Sequence, residues 1–172
     1  MAPPSLLIAI NRSFWLHDLM LITDDSDEDN DLKWFYSKGI LVKKYPYFYS
    51  EKDWYETLPI GVLHPIVCSK VYLFTKEFKI WDKILYIDSD IILRGPLNNL
   101  TKIKTFGAVK NSYNQYLHMQ FGQNNTIIYS ELKKNYNIFS NAFNAGVFCF
   151  DTNQIEGNIK EKFKFLYEKY SS

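Results

Sequence analysis

Residues 81–95 read WDKILYIDSDIILRG, and two carboxylates, Asp88 and Asp90, follow directly on the apolar run Ile84-Leu85-Tyr86-Ile87. An ionised carboxylate inside a covered sheet is costly unless something cationic meets it. The pattern therefore implies either that a strand ends at Asp88 or that a cation sits there. Side chains of an extended segment alternate, so Asp88 and Asp90, two apart, are expected to point the same way. Like charges held side by side repel, and a hard divalent cation would relieve that repulsion while taking their oxygens as ligands.

Working outward, continuous apolar runs at residues 6–10, 19–23, 40–43, 84–87 and 145–150 alternate with helical patterns. Such runs suit strands buried on both faces, and the alternation predicts an α/β fold with a mostly parallel central sheet. In an open sheet of that kind ligands bind beyond the carboxyl ends of the strands, which is where Asp88 falls. Between the second and third runs, Ser26 is placed to cap a helix whose first turn holds Asp27, Glu28 and Asp29, with Gly39 placed to end it. These acids do not form a calcium loop, because an EF-hand starting at Asp25 needs Gly where Asn30 stands and Glu where Tyr36 stands. Residues 45–65 mix Pro, Gly and aromatics and read as a loop over the sheet. Residues 69–83 read as a helix with Val71, Phe74, Phe78 and Trp81 on one face, and residues 159–170 as an amphipathic helix with Phe163, Leu166 and Tyr170 inward. The stretch 111–141 is polar and weakly periodic, and neither an internal repeat nor a second domain is evident in the 172 residues.

Composition excludes several classes. The chain is 47% hydrophobic and 17% aromatic, with 13 Tyr and 13 Phe, which is the make-up of a globular domain. A formal net charge of +1, with lysines scattered among acids, gives no reason to bind nucleic acid. Cys68 and Cys149 are too few for a disulfide framework and lie in no metal-binding spacing, so both are expected to be buried thiols. The first residues, MAPPSLLIAINRSFW, lack a basic leader, and their apolar run is too short for a signal peptide or a membrane span. A cytoplasmic chain without a membrane span is the expectation. Sequons at Asn11, Asn99 and Asn124 are of the kind an Asn-rich chain produces by chance.

An apolar strand followed by Asp-x-Asp also begins the haloacid-dehalogenase-type phosphatases, whose first Asp is a nucleophile. Those enzymes need a further acidic pair downstream, and after Asp90 only the scattered Glu131, Asp151, Glu156, Glu161 and Glu168 follow. The arrangement instead resembles the family-8 glycosyltransferases, the group that includes glycogenin. WDKILYIDSDIILRGPLNNL is similar to that family's metal-binding strand and Gly-Pro-Leu turn, and NAFNAGVFCFD resembles its second signature. LMLITDDSDEDNDLKWF resembles its second strand and following helix, IVCSKVYLF places Lys70 where the family has a lysine, and AINRSFW resembles the end of its first strand.

The resemblance implies a single domain over residues 1–172 of the GT-A, nucleotide-diphospho-sugar transferase type, Rossmann-like in its sheet. It implies retaining transfer of a sugar from a UDP-sugar donor to a hydroxyl of a glycan, protein or small-molecule acceptor. Asp88 and Asp90 would hold Mn²⁺ or Mg²⁺, a choice that fits all-oxygen ligands. Lys70, Ser89, Asn144, Ala145 and Gly146 would bind the donor, and Ile10, Asn11 and Phe14 the nucleotide. Asn144, standing before Ala-Gly, could equally shape a turn. Only Trp15, Leu16 and His17 separate AINRSF from DLMLI, where the family has a helix, and the family's later Asp-Gln and His-x-x-Gly-x-x-Lys-Pro motifs do not appear after Asp151. None of His17, His64 and His118 reads as a metal ligand. Slow turnover is therefore expected, and a non-catalytic nucleotide-sugar or glycan-binding remnant is the rival reading. Sugar, acceptor and oligomeric state are not set by these residues.

Overall fold

The computed structural model describes residues 5–10, 17–24, 29–46, 65–113, 115–120 and 126–170 of the chain. Strands β1 (Ser5–Ile10), β2 (His17–Asp24), β3 (Leu41–Tyr45), β4 (Lys83–Ile87), β5 (Phe106–Lys110) and β6 (Phe143–Asp151) form a six-stranded sheet in the order β3-β2-β1-β4-β6-β5. Among the described residues the α-helices are α1 (Asp29–Ser37), the single turn α2 (Asn98–Thr101), α3 (Thr126–Asn135) and α4 (Ile159–Tyr170).

The α/β class is as the sequence predicts, but the strand directions are not. Only β2 and β3 pair in parallel, whereas β1–β2, β1–β4, β4–β6 and β5–β6 are all antiparallel. The expectation of a mostly parallel sheet is thus corrected, and for the β1–β2 pair connection length supplies the reason. Parallel neighbours need a crossover of about a dozen residues or more. Residues 11–16 are all that joins β1 to β2, so the chain reverses there, while β2 and β3, linked through α1, run the same way.

Both faces are covered, which explains the unbroken apolar runs. In β4, Ile84 and Tyr86 join Met20, Ile22, Leu73, Phe78, Trp81, Phe148 and Phe150 in one buried cluster. Leu85 and Ile87 point the other way and pack with Cys149 against Leu97, Leu100 and Ile103 around α2. On that second side α1 contributes Leu32 and Phe35 to a smaller cluster with Leu21, Ile40 and Val42. A run apolar at every position reports two covered faces and carries no information on strand direction.

Gly39 ends α1 with φ at +70°, a conformation only glycine adopts without strain. Ile40 and Gly39 donate their N–H groups to the carbonyls of Phe35 and Tyr36, at 3.1 and 3.0 Å, in a Schellman closure. Ser26, the expected cap at the other end, lies outside the described residues, as does nearly all of the 45–65 loop. The helix expected at 69–83 is instead two 3-10 helices, Pro65–Phe74 and Lys76–Ile80, parted at Thr75. Its apolar residues were read correctly all the same: Val71, Phe78 and Trp81 are buried and Phe74 packs on the core. β5 and α3 were not legible in the sequence, β5 being short and half-exposed and α3 lying in the polar, weakly periodic 111–141 stretch. Helix α4 has the predicted bounds and half-buries Phe163 and Leu166. No helix among the described residues is long and apolar enough to cross a membrane.

Two predictions follow from this packing. Leu85→Ala removes a side chain with no exposed surface and is expected to cost about 2–5 kcal/mol by chemical denaturation, while the same change at the exposed Ile80 costs under about 0.5 kcal/mol. Burial also pushes the Cys68 and Cys149 thiols up to about 11, against the lowering influence of Lys70 and Lys83 respectively. Native thiols should then be inert to disulfide reagents at pH 8 and react once the chain is unfolded. Because both folded values lie above the unfolded one, the protonated form favours folding. That contribution is complete below about pH 9 and is lost as pH rises toward 11, so the urea midpoint should fall across that window, less steeply in the Cys68→Ala/Cys149→Ala double variant.

Candidate functional site

Strand β4 stops at Ile87. The Asp88 N–H still donates to the Gly146 carbonyl at 2.8 Å, and the Ile91 N–H then reaches back to the Asp88 carbonyl at 3.1 Å, closing a turn with exposed Ser89 and Asp90 at its tip. Alternation therefore holds up to Asp88 and not beyond. The expectation that Asp88 and Asp90 share a side because the segment is extended is corrected, since residues 89 and 90 lie in the turn. By the same alternation Asp88 falls on the face of Ile84 and Tyr86, the face covered by the Pro65–Phe74 helix.

That helix delivers a cation. The Lys70 ammonium stands 2.8 Å from Asp88 Oδ1 and 3.1 Å from Oδ2, and donates to the Ala145 carbonyl at 3.1 Å. It also lies 5.0 Å from the centroid of the Tyr86 ring, in cation–π range. From beneath, the hydroxyl of fully buried Tyr86 donates to Asp88 Oδ1 at 2.6 Å. With side chains 15% and 31% exposed, Lys70 and Asp88 form a partly desolvated pair, held by more contacts than a surface ion pair commonly has.

The third wall comes from β6, through a break in register. Ala108 of β5 pairs with Phe148, but the next residue, Val109, pairs with Asn144, so residues 145–147 have no β5 partner. This bulge turns the Ala145 carbonyl to Lys70. The Asn144 side-chain oxygen accepts the Gly146 N–H at 2.7 Å, which closes the bulge in an Asx turn. Thus the turn-shaping role weighed for Asn144 is present. A Cβ on Gly146 would stand 2.9 Å from both Asp88 Oδ2 and Asn144 Oδ1, so only glycine leaves that space open.

The hard oxygens of Asp88 and Asp90 suit Mn²⁺ or Mg²⁺ in donor type, and the Gly146 backbone passes close to Asp88 Oδ2. By donor type the two carboxylates fit such an ion, and Asp88 at the strand end and Asp90 on the exposed turn after it are the residues that would hold it. Among the described residues no group of three or more His, Cys, Asp or Glu could enclose a metal. His118 stacks on Tyr116 and lies against Phe139, in an aromatic patch of its own.

Of the residues singled out in the sequence, the fold brings together Lys70, Asp88, Asn144, Ala145 and Gly146, with Ser89 and Asp90 on the adjoining turn. It does not bring Ile10 to them: Ile10 pairs with Lys83, at the end of β4 away from Asp88. Asn11 and Phe14 lie outside the described residues. Tyr86 was missed. Its spacing, two residues before Asp88 on the same strand face, was the available signal, and its apolar neighbours disguised it as core.

Residues 31–171 match the model of glycosyl transferase family 8. No curated protein and no solved structure was found to match the chain. The family match spans far more than half of the sequence, and the chain belongs to glycosyltransferase family 8.

Proposed function

We propose that this family-8 glycosyltransferase moves a hexose from a UDP-sugar to an acceptor hydroxyl, on a glycan, a protein or a small molecule, with retention and with help from a divalent ion. The observation that supports the reading is the meeting of Lys70, Asp88 and the 144–146 bulge at the mouth of β4. Transfer of this kind builds negative charge on a departing diphosphate, and fixed positive groups aimed at it lower the barrier. Mn²⁺ or Mg²⁺ held by Asp88 and Asp90 would supply charge neutralisation of that kind when bound. Lys70 brings a further positive charge to the same corner and, on a flexible stem, can follow a phosphate oxygen. Gly146 lets its backbone pass close to Asp88 without a side chain crowding the carboxylate, while Ser89 and Ala145 are assigned to border the donor. Asn144 keeps the bulge closed through its oxygen and is assigned the donor sugar through its amide.

A second reading, binding of a sugar nucleotide without turnover, is favoured by two observations. Asp88 is already neutralised by Lys70, and the described residues offer no larger cluster of metal-ligating side chains.

Isothermal titration tests the metal assignment. UDP should bind more tightly with Mn²⁺ than in EDTA, and Asp88→Ala or Asp90→Ala should remove the difference; equal affinity in the two buffers counts against it. Release of UDP from UDP-glucose and UDP-galactose over hours separates the two readings. Slow release, with loss of one preorganised group expected to cost about a hundred- to a thousand-fold, supports transfer if Asp90→Ala abolishes it. UDP-sugar binding with no release supports binding alone.

A further inference from the structure

Lys70 stands where a divalent ion would have to approach Asp88. An ammonium group has three donors and no acceptor. Those of Lys70 face Asp88 Oδ1 at 2.8 Å, Oδ2 at 3.1 Å and the Ala145 carbonyl at 3.1 Å, in a pocket that leaves the side chain 15% exposed. Asp88 Oδ1 also accepts the Tyr86 hydroxyl at 2.6 Å, so among the described residues Oδ1 meets two donors and Oδ2 one. A carboxylate oxygen has about two lone-pair sites. Only Oδ2 keeps one, and the Gly146 backbone runs close beside it. An ion using it would lie against a like charge in a partly desolvated pocket, where repulsion is poorly screened.

We propose that Lys70 is a built-in competitor for the divalent ion: in the free protein it occupies Asp88, and it releases Asp88 when an ion enters and a phosphate gives its ammonium another partner. The inference rests on Asp88 and Asp90 being the metal pair. It makes ion and diphosphate mutually dependent. A ligand that draws Lys70 away raises the affinity for the ion, and by linkage the ion raises the affinity for that ligand by the same factor. The Tyr86 hydroxyl keeps its hold on Oδ1 during the exchange, so the carboxylate stays aimed while its cation changes.

Mn²⁺ binding without nucleotide, followed by loss of the free-ion electron paramagnetic resonance signal, tests the competition. Lys70→Met should bind Mn²⁺ about tenfold more tightly than the unsubstituted protein, within the usual range of coupling between sites. Lys70→Arg, which keeps the charge, should stay close to the unsubstituted protein, and Asp88→Asn should abolish binding. Adding UDP should raise Mn²⁺ affinity more in the unsubstituted protein than in Lys70→Met, since only the former has a competitor to displace. Circular dichroism checks folding, and Lys70→Gln carries the same expectation if Lys70→Met fails to fold. Equal or weaker Mn²⁺ binding by the neutral variant overturns the competition, and it leaves the metal pair standing where Asp88→Asn still abolishes binding. Mn²⁺ taken up by neither protein, with UDP bound equally in EDTA, removes the metal pair and the competition together.

Discussion

At the end of a strand covered on both faces, water reaches the first charged residue only in part, and a counter-charge within the fold offsets the cost of that partial burial. β4 is such a strand, and Asp88 is that residue. The ammonium that meets it is carried by Lys70, 18 positions earlier, on a helix whose other side chains, Val71, Leu73 and Phe74, are packed into the core. The pair is thus tied to the burial that makes the helix lie on the sheet. Its geometry is inherited from Phe78, Trp81, Tyr86 and Phe150 as much as from the two charges.

The β6 bulge is the complementary half of the arrangement. An uninterrupted ladder would pair residues 145–147 with β5 and keep their backbone groups for the sheet. The register break frees the Ala145 carbonyl for Lys70, and the Asx turn from Asn144 to Gly146 holds the loop in that form. Gly146 is needed for space and not for a positive φ: its close approach to Asp88 Oδ2 leaves no room for a side chain. Ammonium, carboxylate and carbonyl therefore come from three separate stretches of chain, each placed by its own packing.

Residues that act through composition and spacing were legible in the sequence. The apolar runs gave away strands 1 to 4 and 6, Gly39 marked the end of α1, and α4 showed its bounds through its periodicity. Asp88, Lys70 and Asn144 could be picked out by their resemblance to a family's motifs. Features set by pairing were not legible. The strand directions depend on pairing between segments remote in sequence, the form of the 65–80 segment depends on how it is clamped against the sheet, and β5 is a short half-exposed edge with no strong pattern. Tyr86 looked like one more core residue because its ring is one, and only its hydroxyl reaches the site.

By itself the sequence determined that the chain builds a doubly covered α/β sheet, that a carboxylate stands at the end of its central strand, and that the chain belongs to glycosyltransferase family 8. These follow from local order, since hydrophobic periodicity and motif spacing are written residue by residue. The tertiary structure decided which cation answers Asp88. That choice needs the distance between groups remote in sequence, and a lysine on one element, a carboxylate on a second and a carbonyl on a third acquire a common position only when the sheet and its covering helix pack together.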